Sequence, residues 1–191
     1  MEFDSVIRKR HSVRSFKSKA PSWRNVLEAV DSALQVPTSG GHYHIKFLFV
    51  ENPETIKKIS KLAEQSWIAE SKFLAVVCSN DTPLEDLYGE RGRVYSRQQA
   101  GAAIQTFLLK LVDLGLSACW VCSYSDGQLK QLLGIPSHMQ IEAIIPIGYA
   151  APEKPLKHKT KRQLENFIYW ESWLKEKRPT FFTEPGVMDQ D

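Results

Sequence analysis

Cysteine is scarce: three residues in a chain of 191, an odd number that offers no disulfide framework and points to a reducing, cytoplasmic setting. Long apolar runs are absent, which argues against a membrane-spanning helix. The first thirty residues are studded with charge and are not expected to direct export. Neither sign of charge dominates. Twenty-five Lys and Arg against 22 Asp and Glu leave a formal charge of +3, too little to argue for nucleic acid. The basic residues also lack the interleaved aromatic platform that a single-strand binder needs. No G-x-G-x-x-G follows the first apolar strand and no Walker A run occurs, so two nucleotide-binding fingerprints are missing.

What is present reads as one domain. Hydrophobic residues make up 42% and charged residues 25%, ordinary proportions for a chain that buries roughly 70% of its unfolded surface. A short first helix carries Phe3, Val6 and Ile7 on its apolar face. A second runs from an N-cap at Ser22 through Val26, Leu27, Val30, Ala33 and Leu34, and stops before Pro37. Ile45–Glu51 and Phe73–Cys78 read as apolar strands, with a helix opened by Pro53 between them. Ser96–Leu114 is the longest helix, and Leu84–Tyr95 before it is the least regular stretch. Leu116–Tyr124 and Ile141–Tyr149 read as further strands, separated by a short helix around Leu129–Leu133. The order predicts an α+β or mixed α/β fold with helices on both faces of a modest sheet.

Two basic clusters stand near the two ends. Arg10-His11-Ser12-Val13-Arg14 places two guanidinium forks around a hydroxyl, a donor set that matches phosphate oxygens. A solvated basic patch is the competing reading of these five residues. Lys157-His158-Lys159-Thr160-Lys161-Arg162 is the second cluster, and the two could converge on one anion in the folded chain. Cys119-Trp120-Val121-Cys122 matches the C-x-x-C pattern, but in a strand residues three apart face opposite sides, which separates the sulfurs. His42-x-His44 has no acidic or cysteine partner at metal-binding spacing, so no metal is expected.

Taken in order, four motifs resemble the FMN-dependent nitroreductase family. They are Arg10-His11-Ser12-Val13-Arg14-Ser15-Phe16, the loop Pro37-Thr38-Ser39-Gly40-Gly41, and Ala100-Gly101-Ala102-Ala103-Ile104-Gln105 with Leu114–Val121. The fourth is Ile144–Tyr149 together with Lys159–Glu165. The resemblance implies a nitroreductase-like α+β fold, with a central, mostly antiparallel sheet flanked by helices in an intertwined homodimer that exchanges C-terminal arms. Residues 1–175 would form the FMN-binding domain and 176–191 a tail. The aromatics Phe167, Tyr169, Trp170 and Trp173 suit an arm that reaches a partner.

The same resemblance implies FMN and NAD(P)H as cofactors, with a nitroaromatic or quinone-type small molecule as electron acceptor. Neither nucleic acid nor a membrane is an expected partner. Arg10 and Ser12 would bind the phosphate and ribityl chain, joined by Lys159 and Lys161, with His11 between them. Arg14 would lie at the pyrimidine edge of the ring. Pro37, Thr38, Ser39 and Gly40 would come from the partner subunit, and Cys122 and Ser123 would fall beside flavin N5. No catalytic side chain is required, because the flavin carries the chemistry. Gly41-His42-Tyr43-His44-Ile45 departs from the asparagine and Gln-Pro-Trp-like run common in the family and is similar to the branch of azoline-oxidising dehydrogenases. Gln99 replaces a common acidic residue. These departures keep two alternatives open: a substrate-specific flavin dehydrogenase and a non-catalytic FMN-binding protein. Tyr88, Arg91, Arg93 and Tyr95 are candidates for a lid over the substrate or for a plain surface helix.

Overall fold

The structure is a computed structural model that describes residues 1–152 and 163–179. The chain divides into two compact units, Met1–Glu153 and Lys154–Asp191. In the first, α1 (Phe3–Lys9) and α2 (Trp23–Ala33) precede β1 (Ile45–Val50), α3 (Pro53–Leu62) and β2 (Phe73–Asn80). Then come α4 (Thr82–Tyr88), α5 (Arg91–Asp113), β3 (Ser117–Ala118), α6 (Asp126–Leu133) and β4 (Met139–Gly148). The strands form one sheet in the order β1-β2-β4-β3, and every pair is antiparallel. That is the α+β architecture expected, with helices on both faces.

Each face has its own core. On one, Val26, Ala29 and Ala33 of α2 and Ala103, Ile104, Phe107 and Leu111 of α5 pack against Phe73, Ala75, Val77, Ala143 and Ile145. On the other, Ile56 and Ile59 of α3 and Leu129 of α6 cover Leu74, Val76 and Ile144. Ile104, Phe107 and Leu111 are all fully buried. Each contributes about 1.5–3 kcal/mol relative to an exposed position, so α5 is held by tertiary packing more than by propensity. Asn52 starts α3 by accepting from the Thr55 N–H at 3.0 Å, with Pro53 in the first turn.

The alternation of β4 breaks once. Val77 pairs with Ala143 and Cys78 with Ile141, so Glu142 is an extra residue bulged out of the ladder. As a result Ile141 and Ala143, two positions apart, fall in opposite cores.

Three expectations need correction. Leu116–Tyr124 keeps a single register against β4, from Ser117 opposite Gly148 to Val121 opposite Ile144, but only Ser117–Ala118 counts as strand. Cys119 donates to the Pro146 carbonyl at 3.3 Å, and Pro146 has no N–H to return, so the ladder opens there. Residues 84–95 are helical, since α4 runs to Tyr88, Gly89 turns the chain at φ 57°, and α5 begins at Arg91. Of the apolar face of α1, only Val6 is buried, while Phe3 is 70% and Ile7 46% exposed.

A Cβ on Gly92 would meet the Leu84 carbonyl oxygen at 2.2 Å, so glycine alone lets α4 and α5 approach this closely. In the second unit, Leu164–Phe167 forms a 3₁₀ turn, and Tyr169 packs on Trp173 with ring centroids 4.8 Å apart. Among the described residues no helix is long and apolar enough to cross a membrane, and no cluster of three or more His, Cys, Asp or Glu could hold a metal.

Candidate functional site

After α1 the chain runs extended along the sheet edge. Ser12 bridges Ala118 in parallel, the Val13 N–H donates to the Ala118 carbonyl at 3.1 Å, and Phe16 bridges Ala150. Val13 and Phe16 anchor the segment in the interior. An extended chain sends alternate side chains to opposite sides, so Arg10, Ser12 and Arg14 share the face away from Val13. A Cβ on Gly148 would come within 2.9 Å of the Phe16 ring, so glycine admits this anchor.

The three side chains converge on Cys119. Burial pushes its thiol up, and the Arg14 charge, a hydrogen bond to Ser12 and the Arg10 charge each pull it back. The Arg10 guanidinium makes no ion pair among the described residues. His11 lies instead with Arg8, Lys9 and Gly115 around a separate depression. Cys122 is exposed where Cys119 is buried, and both are free thiols, as the strand geometry predicts. Cys122 stands close enough for its charge to raise the Cys119 thiol. Ser123 follows it on the exposed stretch after β3.

The Pro37–Gly40 loop sits elsewhere. Its Ser39 N–H donates to Oε1 of Gln99 at 3.4 Å, and Nε2 of Gln99 donates to the His42 carbonyl at 3.3 Å. Gln99 is 3% exposed and holds both ends of the turn from α5. Pro37, Thr38, Ser39, Tyr95 and Gln99 line a cavity of about 210 Å³. Gly40 takes φ 60°, and a Cβ there would touch the Tyr88 hydroxyl at 3.0 Å. Within one chain, then, Arg10, Ser12, Arg14 and Cys122 gather at Cys119, and Pro37–Gly40 gather at Gln99. Lys159 and Lys161 lie outside the described residues.

Sequence reading missed a buried polar network behind this loop. Nε2 of His44 lies 3.0 Å from the Ser96 hydroxyl, which donates to Oδ1 of Asp81 at 2.7 Å. Arg97 pairs with Asp81 and with Glu142, and donates to Ser79 at 2.8 Å. The bulge in β4 is what brings the Glu142 carboxylate to Arg97. Burial lowers the His44 pKa, against the opposing effects of the His42 carbonyl and the Asp81 charge. The only sequence signal was polar Ser96 and Gln99 on the inward side of an apolar helix.

A four-stranded antiparallel sheet between helical layers, with a basic N-terminal segment stitched to its short edge strand, defines an α+β protein. The chain belongs to the nitroreductase family, whose family profile matches residues 7–84 and 60–149. It is 25% identical over 166 residues to iodotyrosine deiodinase of Thermotoga neapolitana, covering 78% of this chain and 89% of that protein. It is 24% identical over 194 residues to an NADH dehydrogenase of Thermus thermophilus, covering 85% and 92%. An FMN-dependent nitroreductase from Clostridium difficile R20291 shares the fold, with a TM-score of 0.74 at 20% identity over 88% of this chain and 98% of that one.

Proposed function

We propose that this protein is an FMN-dependent oxidoreductase that takes reducing equivalents from NAD(P)H and delivers them to nitroaromatic or quinone-type acceptors. The observation that carries the reading is the alternation of the Arg10–Arg14 segment. It buries Val13 and leaves the side chains of Arg10, Ser12 and Arg14 together on the other side, at Cys119. That donor set fits a phosphate monoester. Relatives and structural neighbours whose names give NADH dehydrogenase and FMN-dependent nitroreductase support the same reading.

Arg10 and Ser12 hold the phosphate end in this reading, joined by Lys159 and Lys161. Arg14 sets a positive charge at the pyrimidine edge of the ring. Cys122 and Ser123, beyond the last bridge to β4 at Val121, offer backbone N–H groups beside the ring. Bound FMN supplies hydride acceptance and donation at N5, so no acid, base or nucleophile has to be found among the side chains.

A homodimer with exchanged C-terminal arms completes the site. In one chain the Pro37–Gly40 loop is held at Gln99 and not at Cys119, which fits delivery of Thr38, Ser39 and Gly40 of the partner subunit to the ring. Phe3, Ile7, Trp23 and Leu27 are large apolar side chains between 45% and 70% exposed on α1 and α2, a surface suited to a second copy.

The test is an absorbance spectrum of the purified protein before and after NADH is added without oxygen. A yellow protein that bleaches is expected. A colourless protein overturns the flavin assignment. A yellow protein that NADH does not bleach, and that consumes no NADH with a nitroaromatic, overturns the donor and acceptor assignment in favour of a dedicated dehydrogenase.

A further inference from the structure

The turn from Ser39 to His42 is closed by one hydrogen bond of its own, from the His42 N–H to the Ser39 carbonyl at 3.1 Å. Gly40 at φ 60° and Gly41 at φ 74° form its bend. The bond leaves over the Ser39 N–H, which can only donate, and the His42 carbonyl, which can only accept. Gln99 serves both: Oε1 accepts from Ser39 at 3.4 Å and Nε2 donates to His42 at 3.3 Å. The two partners fix which end of the amide is oxygen and which is nitrogen.

Helical spacing brings the amide there. Gly92, Ser96, Gln99 and Ala103 recur along the buried stripe of α5. At the foot of the same loop the Tyr43 hydroxyl donates to the Ala33 carbonyl at 3.2 Å, so base and tip are each held by one side chain. Thr38 and Gly40 are exposed, and no hydrogen bond among the described residues uses the hydroxyl of Thr38 or Ser39. Gln99 thus binds only the backbone of the turn and leaves the loop's own hydroxyls to a ligand. A carboxylate in its place would accept from Ser39 but set a negative charge against the His42 carbonyl. An apolar side chain would satisfy neither group, and asparagine is one methylene shorter.

We propose that Gln99 is a positioning residue of the flavin site: from α5 it sets the turn in which Thr38, Ser39 and Gly40 meet the FMN held by the other subunit. The inference rests on the FMN reading above and adds that this point requires an amide. The titratable groups around it are His42 in the turn, Tyr88 against Gly40, and Tyr95 in the shared cavity. His44, Asp81, Arg97 and Glu142 follow behind Ser96.

The test is FMN release on dilution of the purified, flavin-loaded protein, read as free-flavin fluorescence from about pH 5.5 to about pH 8.5. Gln99→Met keeps the length and loses both bonds, and its FMN dissociation constant is expected to rise about tenfold at every pH. In Gln99→Glu the neutral carboxyl still accepts from Ser39 and donates to His42, so retention at the acid end stays close to native. As pH rises the carboxyl ionises and the donor is lost, and retention falls about tenfold. The native chain carries the same neighbouring groups and the same FMN phosphate, so its own profile subtracts theirs. A merely structural role would lower the Tm of both variants and leave FMN retention unchanged. That result, or a Gln99→Glu profile parallel to the native one, overturns the proposal. Should Gln99→Glu unfold at the alkaline end, Gln99→Met decides alone. A colourless native protein overturns the FMN reading itself, so the two failures are told apart.

Discussion

Cys119 lies opposite Pro146 in the register that pairs Ser117 with Gly148 and Val121 with Ile144, and the bond between them runs one way only. The sheet's last ladder therefore opens at the point where Arg10, Ser12 and Arg14 converge from the other side. Pairing resumes two residues on, where Val121 and Ile144 exchange both bonds, so the missing N–H of Pro146 withholds one ladder bond, that to the Cys119 carbonyl.

Arg10→Ala removes one charge-assisted donor from the face proposed to hold the FMN phosphate. The expected outcome is loss of about 1.5–3 kcal/mol of FMN affinity, read as flavin released on gel filtration. Unchanged flavin content in the variant would sink the assignment of Arg10 to the phosphate.

Gly92→Ala ought to raise helix propensity, yet here the sign reverses. The added methyl meets the Leu84 carbonyl, which belongs to the backbone of α4 and cannot swing aside. Destabilisation of about 1–3 kcal/mol is expected, and thermal denaturation should show a fall in Tm where an open helical site would show a rise.

Asp81→Asn leaves Arg97 with Glu142 alone and weakens the Ser96 bond. Removing one partner of a fully buried pair costs about 3–5 kcal/mol. The Arg97 side chain is 39% exposed, so screening reduces the expected loss to about 1–3 kcal/mol. Urea denaturation of Asp81→Asn, Arg97→Met and the double variant measures the coupling, and additive losses would mean the pair contributes nothing.

His44 gives the fold a pH dependence whose direction is fixed. Burial holds its pKa below the ordinary 6.5 in the folded state, so the unfolded chain binds the proton first as pH falls. Stability from this group is full above 6.5 and is lost as pH drops from there toward the folded pKa. Denaturation of the native protein and His44→Asn at pH 7.5 and pH 5.5 should show a smaller loss in the variant. An identical loss in both would remove His44 as the cause.

Truncation after Leu164 removes Phe167, Tyr169, Trp170 and Trp173. If the arm reaches a partner, sedimentation should find monomer or insoluble protein in place of a dimer. A stable, flavin-loaded dimer of the truncated chain would refute arm exchange.

How far the sequence could be read depended on how local each cause was. β1 and β2 announce themselves as apolar runs, and Asn52-Pro53 starts α3 by chemistry confined to four residues. The start of α5 was hidden because Arg91 and Arg93 face solvent and give no apolar period, although Arg93 pairs with Glu85 and Arg91 lies over Tyr95. The break in β3 has its cause 27 residues away at Pro146, since the register pairs it with Cys119. The grouping of Arg10, Ser12 and Arg14 was readable because the three alternate with His11 and Val13 within one extended segment. The His44–Ser96–Asp81–Arg97 network was not, because its first link joins residues 52 apart and no periodicity marks them.

The bulge at Glu142 acts on β4 as an insertion acts on a reading frame. Everything before it is out of phase with everything after it, and the inserted letter is the carboxylate that Arg97 requires. Deleting Glu142 would thus do two unrelated things at once: strip Arg97 of an anion and turn Met139 and Ile141 over to the wrong core. Substituting Glu142 with glutamine would do only the first. Comparing the two changes separates the grammar of the strand from the charge it carries.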